Sequence, residues 1–380
     1  MRDGVVTSIL LTKKELEKLG HEVFIFAPAP KSDADREEGV RYFRSVAFRG
    51  YRGYRVPLFP TNKSEILEEL GIDVIHNHGL AFNALRSMFA GRTLKRPVVT
   101  TWHTNATEAV KYYNVWGLPE DVSVNLMWIY IKRLLRRSEA VIAPTTAIKN
   151  ELTSNVSRLR RVEVIPTGVD LGRFRTDLDS SLLRERYGLE GKRVVLHLGR
   201  IAMEKNLDLI LNGFAKLAPR HPDLVLMVAG DGPARGHYQE LSKMLGISDR
   251  TVFTGFIKDE ELPLHYALCD VFTIASKFET QGLVVLEAMT CGRPVVGIDF
   301  RAVAEIIRND KDGFLFQGTK ESWCDAMERA LAAPPWIGQM ARARSEQYSQ
   351  SEGARKLVDL YRDAFASKQT RVGGKERLEP

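Results

Sequence analysis

Short apolar runs of strand length alternate with amphipathic stretches of helical length along this chain, and the alternation starts again near residue 175. Strands are expected at 23–27, 74–76, 98–101 and 140–143, with helices at 13–19, 64–70 and 125–137 between them. Gly20 after Leu19 and Gly71 after Leu70 are helix stop signals. After the restart, strands are expected at 194–198, 224–229, 252–253, 271–274 and 294–297, and helices at 207–217, 238–245 and 283–289. Such alternation implies mostly parallel sheets covered by helices. The 380 residues suit two domains, at roughly 100–200 residues each. The expected organisation is α/β, with two Rossmann-like doubly wound domains facing a cleft. Residues 1–170 form the first domain and 171–350 the second; a helix over 351–367 crosses back, and 368–380 form a disordered tail. Ligands of such sheets bind beyond the carboxyl ends of the strands, so the informative residues follow each strand.

Composition narrows the setting. No apolar run reaches the length of about 18 residues that a membrane-spanning helix needs, and the N-terminus lacks the apolar stretch of a signal peptide. Cys269, Cys291 and Cys324 fit neither a zinc pattern nor a disulfide framework, and a reducing cytoplasm is the simplest setting. The net charge of +7 is unevenly spread: residues 1–175 hold 27 Lys and Arg against 19 Asp and Glu. A basic first half attracts an anionic membrane or an acidic substrate, and it is equally compatible with a merely solvated surface. The basic residues form no familiar nucleic-acid motif, so no nucleic-acid partner is expected.

Three segments that follow strands carry chemistry. In Glu279-Thr-Gln-Gly282-Leu283-Val284-Val-Leu-Glu287, Gly282 lets backbone approach a ligand, and the first helical N–H groups can receive phosphate oxygens. A carboxylate such as Glu287 suits the two hydroxyls of a ribose. Arg200 and Lys205 flank a short loop after the run 194–198, an arrangement suited to a diphosphate. Gly230-Asp-Gly232 is a third, weaker element. Each segment alone is also compatible with a plain turn or surface loop.

In combination these segments resemble the GT-B glycosyltransferases of family 4. The shared pattern is the Gly199-Arg200 loop with Lys205 five positions on, the Gly-Asp-Gly turn, and the Glu279-x7-Glu287 motif, in that order. Ile165-Pro-Thr-Gly-Val-Asp170 and Gly292-Arg-Pro-Val-Val extend the likeness, which covers about residues 4–366. The resemblance implies retention of anomeric configuration. It implies that Arg200 and Lys205 bind the diphosphate, Glu279 and His103 lie at the transferred sugar, and Glu287 holds the ribose. It further implies that backbone at Gly282, Leu283 and Val284 touches sugar and phosphate, that Phe256 and Ile257 border the base, and that Gly4 lies beside phosphate and acceptor. Met203 stands where many relatives have proline. Relatives begin with a strand ahead of a glycine loop; this chain starts at that loop, so the first strand is expected to be missing.

The acceptor side is less determined. His103 follows the run 98–101, and an isolated histidine there is as readily structural as functional. His76 and His78 either line the acceptor cleft or satisfy each other. Tyr112, Tyr113 and Trp116 precede Lys132, Arg133, Arg136 and Arg137, which share one helix face at i, i+1, i+4 and i+5. Aromatics beside a basic face suit a membrane interface, although Arg136 and Arg137 also complement a helix C-terminus. The detail Trp-His-Thr at 102–104 is most similar to diacylglycerol glucosyltransferases, which implies a lipid acceptor.

The expected activity is transfer of a hexose from a UDP- or GDP-hexose to a lipid or glycan acceptor, on the inner face of the cell membrane. Arg200 and Lys205 do a metal's work on the leaving group, so no metal is required and one would at most stimulate. Three other readings stay open: a glycoside hydrolase using Glu279 and Glu287, a transferase with a soluble acceptor, and a non-catalytic nucleotide- or membrane-binding protein.

Overall fold

The computed structural model describes residues 4–32, 36–47, 55–57, 63–79, 82–103 and 119–376. They form two compact units, Met1–Pro166 with Gly353–Pro380, and Thr167–Glu352.

The first unit opens on the helix Gly4–Lys18, and no strand precedes it among the described residues. Its strands are β1 (Ile25–Pro28), β2 (Val40–Phe43), β3 (Ser45–Ala47), β4 (Arg55–Pro57), β5 (Ile75–Asn77), β6 (Val98–Thr101), β7 (Ala140–Ala143) and β8 (Val162–Val164). The parallel part of the sheet is in two pieces, β1-β2 and β5-β6-β7-β8, while β3 and β4 form an antiparallel ribbon. β6 and β7 are buried throughout, as continuous apolar strands covered on both faces should be. Trp102, fully buried, stacks on Trp128 of the helix Glu120–Leu135 with ring centroids 6.0 Å apart.

The last helix, Gln350–Glu376, belongs mainly to this unit. Leu357, Leu360 and Ala364 pack with Val99, Ala140 and Ile142. Composition predicts a disordered tail over 368–380; the helix instead runs on through Glu376. Buried Glu139 is the physical reason: Arg160, Lys368 and Arg371 all converge on its carboxylate. A buried carboxylate needs such partners, and two of them lie in the segment that composition alone marks as solvated.

The second unit holds β9 (Arg193–Leu198), β10 (Leu224–Ala229), β11 (Thr251–Gly255), β12 (Val271–Ile274), β13 (Val295–Ile298) and β14 (Phe314–Phe316). All are parallel, in the order β11-β10-β9-β12-β13-β14. The strand order reverses between β9 and β12, the switch point where doubly wound sheets bind ligands. The helix Leu207–Leu217 buries Leu207, Ile210, Leu211, Phe214 and Leu217, a 3.6-residue stripe laid against the sheet. The helix Lys320–Leu331 starts on a capping box between Thr319 and Ser322. It also buries Trp323, whose Nε1 donates to Thr273 Oγ1 at 2.9 Å. Replacing Trp323 by alanine empties the largest buried side chain of this unit and removes the donor to Thr273 Oγ1, which keeps its own bond to the Val296 carbonyl. Urea unfolding should show a loss of about 3–5 kcal/mol, the usual range for deleting a buried aromatic.

Candidate functional site

In the second unit, the loops after β9 and β12 leave the sheet side by side, because Val195 and Leu196 pair with Val271 and Phe272. Lys205 ends a short 3-10 turn, Met203–Lys205, and Asn206 then adopts φ +55, which redirects the chain into the helix Leu207–Leu217. From the other loop, Glu279 accepts a hydrogen bond from Lys205 Nζ at 2.6 Å. Two elements far apart in sequence are thereby closed into one polar floor at the switch point. Burial alone would raise the Glu279 carboxyl, but the charge and hydrogen bond of Lys205 outweigh it and hold it below the ordinary value. Glu279 is therefore ionised at neutral pH. His197, buried beneath this pair, is pushed down to about 4 by desolvation and stays neutral.

Arg200 lies two residues past β9 and pairs with buried Glu204, four residues on. No sequence pattern singles out Glu204, yet its carboxylate holds the Arg200 guanidinium. The backbone is tightly drawn here. A Cβ on Gly230, at φ +126, would lie 2.0 Å from the carbonyl oxygen of Gly199, so only glycine lets β10 end against this loop.

Gly282, at φ +81, is the turn from which the helix Leu283–Thr290 starts, with Leu283 and Val284 in its first turn. The preceding Gln281 is buried, accepting from the backbone N–H of Thr167 at 2.7 Å and donating to its carbonyl at 2.6 Å. This clamp fixes the loop and was not legible in sequence, because its partners are 114 residues apart. Glu287 lies further along the helix and accepts from Tyr266 OH at 2.7 Å. Burial raises its carboxyl to about 7, partly opposed by the Tyr266 hydrogen bond and by Arg173. Tyr266 itself is pushed well above its ordinary value by burial and the neighbouring carboxylate, so it donates. Ile257 packs against the core beside exposed Phe256, just after β11.

In the first unit, Gly4 starts the first helix. His103 lies two residues past β6, with Nε2 2.9 Å from Nδ1 of His78. His76 hydrogen-bonds Thr101 Oγ1 and Tyr361 OH, each at 2.6 Å. The three imidazoles thus form one cluster. Tyr112, Tyr113 and Trp116 fall outside the described residues. Lys132 and Arg133 occupy the last turn of the helix Glu120–Leu135, and Arg136 is its C-cap. Arg136 also donates to the carbonyl and hydroxyl of Ser157, at 3.0 and 2.9 Å. Together with Ile129 and Arg137 they line a shallow open groove. The same helix exposes Val122, Leu126, Ile129 and Tyr130, and the helix Phe82–Thr93 exposes Leu85 and Phe89. The two helices meet through Ala84, Met88 and Leu134.

Among the described residues, no group of three or more His, Cys, Asp or Glu is placed to hold a metal ion, and no helix is long and apolar enough to cross a membrane. All three cysteines are buried and unpaired.

A doubly wound parallel sheet whose switch-point loops carry Arg200, Lys205 and Glu279, with Glu287 on the helix that follows, has the architecture of the GT-B glycosyltransferases. Comparison with known proteins agrees. The model of the glycosyl transferases group 1 family matches residues 179–351, and that of Glycosyltransferase Family 4 matches residues 2–173. Alpha-monoglucosyldiacylglycerol synthase of Streptococcus pneumoniae is 31% identical over 372 residues, covering 96% of this chain and 83% of that protein. The crystal structure of Anabaena HepE in complex with UDP and glucose superposes with a TM-score of 0.68 at 21% identity, over 79% of this chain and 81% of that one. Sucrose-phosphate synthase of Thermosynechococcus elongatus superposes at 0.76 and 21% identity, over 96% and 94%. The chain belongs to the GT-B glycosyltransferases of group 1 and family 4.

Proposed function

We propose that this protein transfers a hexosyl group, with retention, from UDP- or GDP-hexose to a membrane lipid of the diacylglycerol type. The observation that carries the reading is the Lys205–Glu279 pair at the switch point, with Arg200 and Glu287 on the same loops and helix. In this reading Glu287 accepts from the ribose hydroxyls, and the N–H groups at Gly282, Leu283 and Val284 meet the sugar and phosphate. Glu279 and His103 address the hydroxyls of the transferred sugar. The bond between the anomeric carbon and the diphosphate breaks as the acceptor oxygen bonds to the same face, and the acceptor proton passes to the departing phosphate. Arg200 and Lys205 stabilise the charge that develops on that phosphate. Lys205 has three donors; one spans to Glu279 and the others are available for oxygens.

A lipid acceptor is favoured by two things. One is the synthase relative, whose name contains diacylglycerol. The other is the exposed apolar stripe Val122, Leu126, Ile129 and Tyr130 running into Lys132, Arg133 and Arg137. An apolar face bordered by cations suits an interface of anionic lipid, here the cytoplasmic face of the cell membrane. Tyr112, Tyr113 and Trp116 would add aromatic anchors, and Gly4 would lie near the phosphate.

The test is transfer of labelled hexose to diacylglycerol in vesicles with and without phosphatidylglycerol. Transfer should rise with the anionic lipid and fall with salt, and Lys132→Glu with Arg133→Glu should lower vesicle binding roughly tenfold or more, at about 1 kcal/mol per basic residue. Equal transfer to soluble glycosides without vesicles would instead support the soluble-acceptor reading.

A further inference from the structure

We propose that His78 is a positioning residue for His103, setting the tautomer and ring orientation with which His103 meets the transferred sugar; the proposal rests on the reading that His103 contacts that sugar. β5 and β6 are parallel neighbours with Asn77 opposite Thr100, so His78 and His103 both emerge at the carboxyl edge of the sheet. Their nitrogens, Nδ1 of His78 and Nε2 of His103, are 2.9 Å apart, and the rings lie nearly parallel at 21°. A contact of that length holds one proton. Whichever nitrogen carries it decides whether Nδ1 of His103 carries the other.

Both partners are held from behind. Asn77 Nδ2 donates to the Gly79 carbonyl at 2.6 Å and Asn77 Oδ1 accepts from the Gly79 N–H at 3.3 Å, which closes the chain around His78. Fully buried Trp102 anchors the chain immediately before His103. The other face of His78 lies against His76, ring centroids 4.0 Å apart. Both nitrogens of His76 are already engaged, by Thr101 and by Tyr361 of the last helix. His76 is thus a fixed wall and not a competing partner. Burial, reinforced by the neighbouring His103, drives His76 down to about 3; burial and both neighbouring imidazoles drive His78 well below its ordinary value. His78 therefore presents one N–H and one lone pair at neutral pH, which is what a tautomer-setting partner requires.

The experiment measures kcat and donor KM for His78→Leu, His78→Asn, His103→Ala and the His78→Leu/His103→Ala double variant, with melting temperatures for each. His78→Leu should lower kcat by roughly tenfold, the scale of one misdirected hydrogen bond in the transition state, with donor KM within about twofold. His78→Asn, whose amide lies where Nδ1 was, should restore most of it. The double variant should be no slower than His103→Ala alone, because His78 acts only through His103. Losses that multiply in the double variant, or no rescue by asparagine in a protein of unchanged melting temperature, overturn the assignment of His78. Full kcat in His103→Ala overturns the reading of His103 itself and is separately visible. Should His78→Leu fail to fold, His78→Gln replaces it. Asparagine alone near wild type then supports the proposal, and equal loss in both amides overturns it.

Discussion

Replacing Lys205 by alanine is expected to lower kcat by roughly 10²–10³-fold, the loss seen when one preorganised donor to a developing oxyanion is removed. Two effects add in this variant. The leaving diphosphate loses a cation at the switch point. Glu279, half-buried and now without the ammonium 2.6 Å away, loses the partner that does most to hold its carboxyl low. Desolvation then dominates and the carboxyl rises toward neutrality. The variant should therefore show a new dependence of residual activity on pH, above the ordinary carboxylate range, where the wild type is flat from this group. Lys205→Arg should recover part of the charge effect, but a planar fork cannot reproduce the same pair of contacts. Steady-state kinetics decide between roles. A fall in kcat and kcat/KM together places Lys205 on the transition state, whereas a raised donor KM at unchanged kcat would reduce it to ground-state binding.

Glu287→Gln should have opposite effects on affinity and stability. An amide accepts less strongly than a carboxylate, so affinity for the nucleoside diphosphate should fall by roughly 10–100-fold, the cost of about 1.5–3 kcal/mol for a hydrogen bond to a charged group. Stability should move the other way at alkaline pH. The Glu287 carboxyl is raised to about 7 in the folded protein against an ordinary 4.5. A group raised in this sense contributes fully below about pH 4.5, and its contribution is lost as pH rises through about 7. Glutamine has no such loss. At pH 8 the variant should unfold later than the wild type, by on the order of 1–3 kcal/mol once partial solvent exposure is allowed for. Donor affinity of the wild type should weaken below about pH 7 as Glu287 takes up a proton. Calorimetric titration with UDP and GDP across pH, beside thermal melts of both proteins, measures both halves.

These two residues also mark how far sequence carries. β9, β10 and β12 are apolar runs interrupted only by Arg193, His197 and Thr273, as covered parallel strands tend to be. Their positions, and hence those of Arg200, Lys205, Glu279 and Glu287, could be read directly. The exposed and half-buried short strands β2 and β3 carry no such signal, and their bounds were not legible. Nor were the partners that make the site work. Tyr266 reaches Glu287 across 21 residues and Gln281 reaches Thr167 across 114; no local period encodes either contact. The tail failed for a related reason. Composition over 368–380 reads as solvated, but Lys368 and Arg371 serve a buried carboxylate more than 200 residues upstream. Of the two readings of His76 and His78, mutual satisfaction does not hold: their hydrogen bonds lead outward, to Thr101, Tyr361 and His103.

The most direct measurement is the stoichiometry of turnover: nucleoside diphosphate released against glycosylated lipid formed, from UDP-hexose and GDP-hexose, on vesicles containing diacylglycerol. The account predicts one diphosphate per glycolipid with one of the two donors, the sugar α-linked as in the donor, and near-abolition in Lys205→Ala. Release of free sugar without glycolipid, or turnover that ignores Lys205 and Glu287, would contradict it.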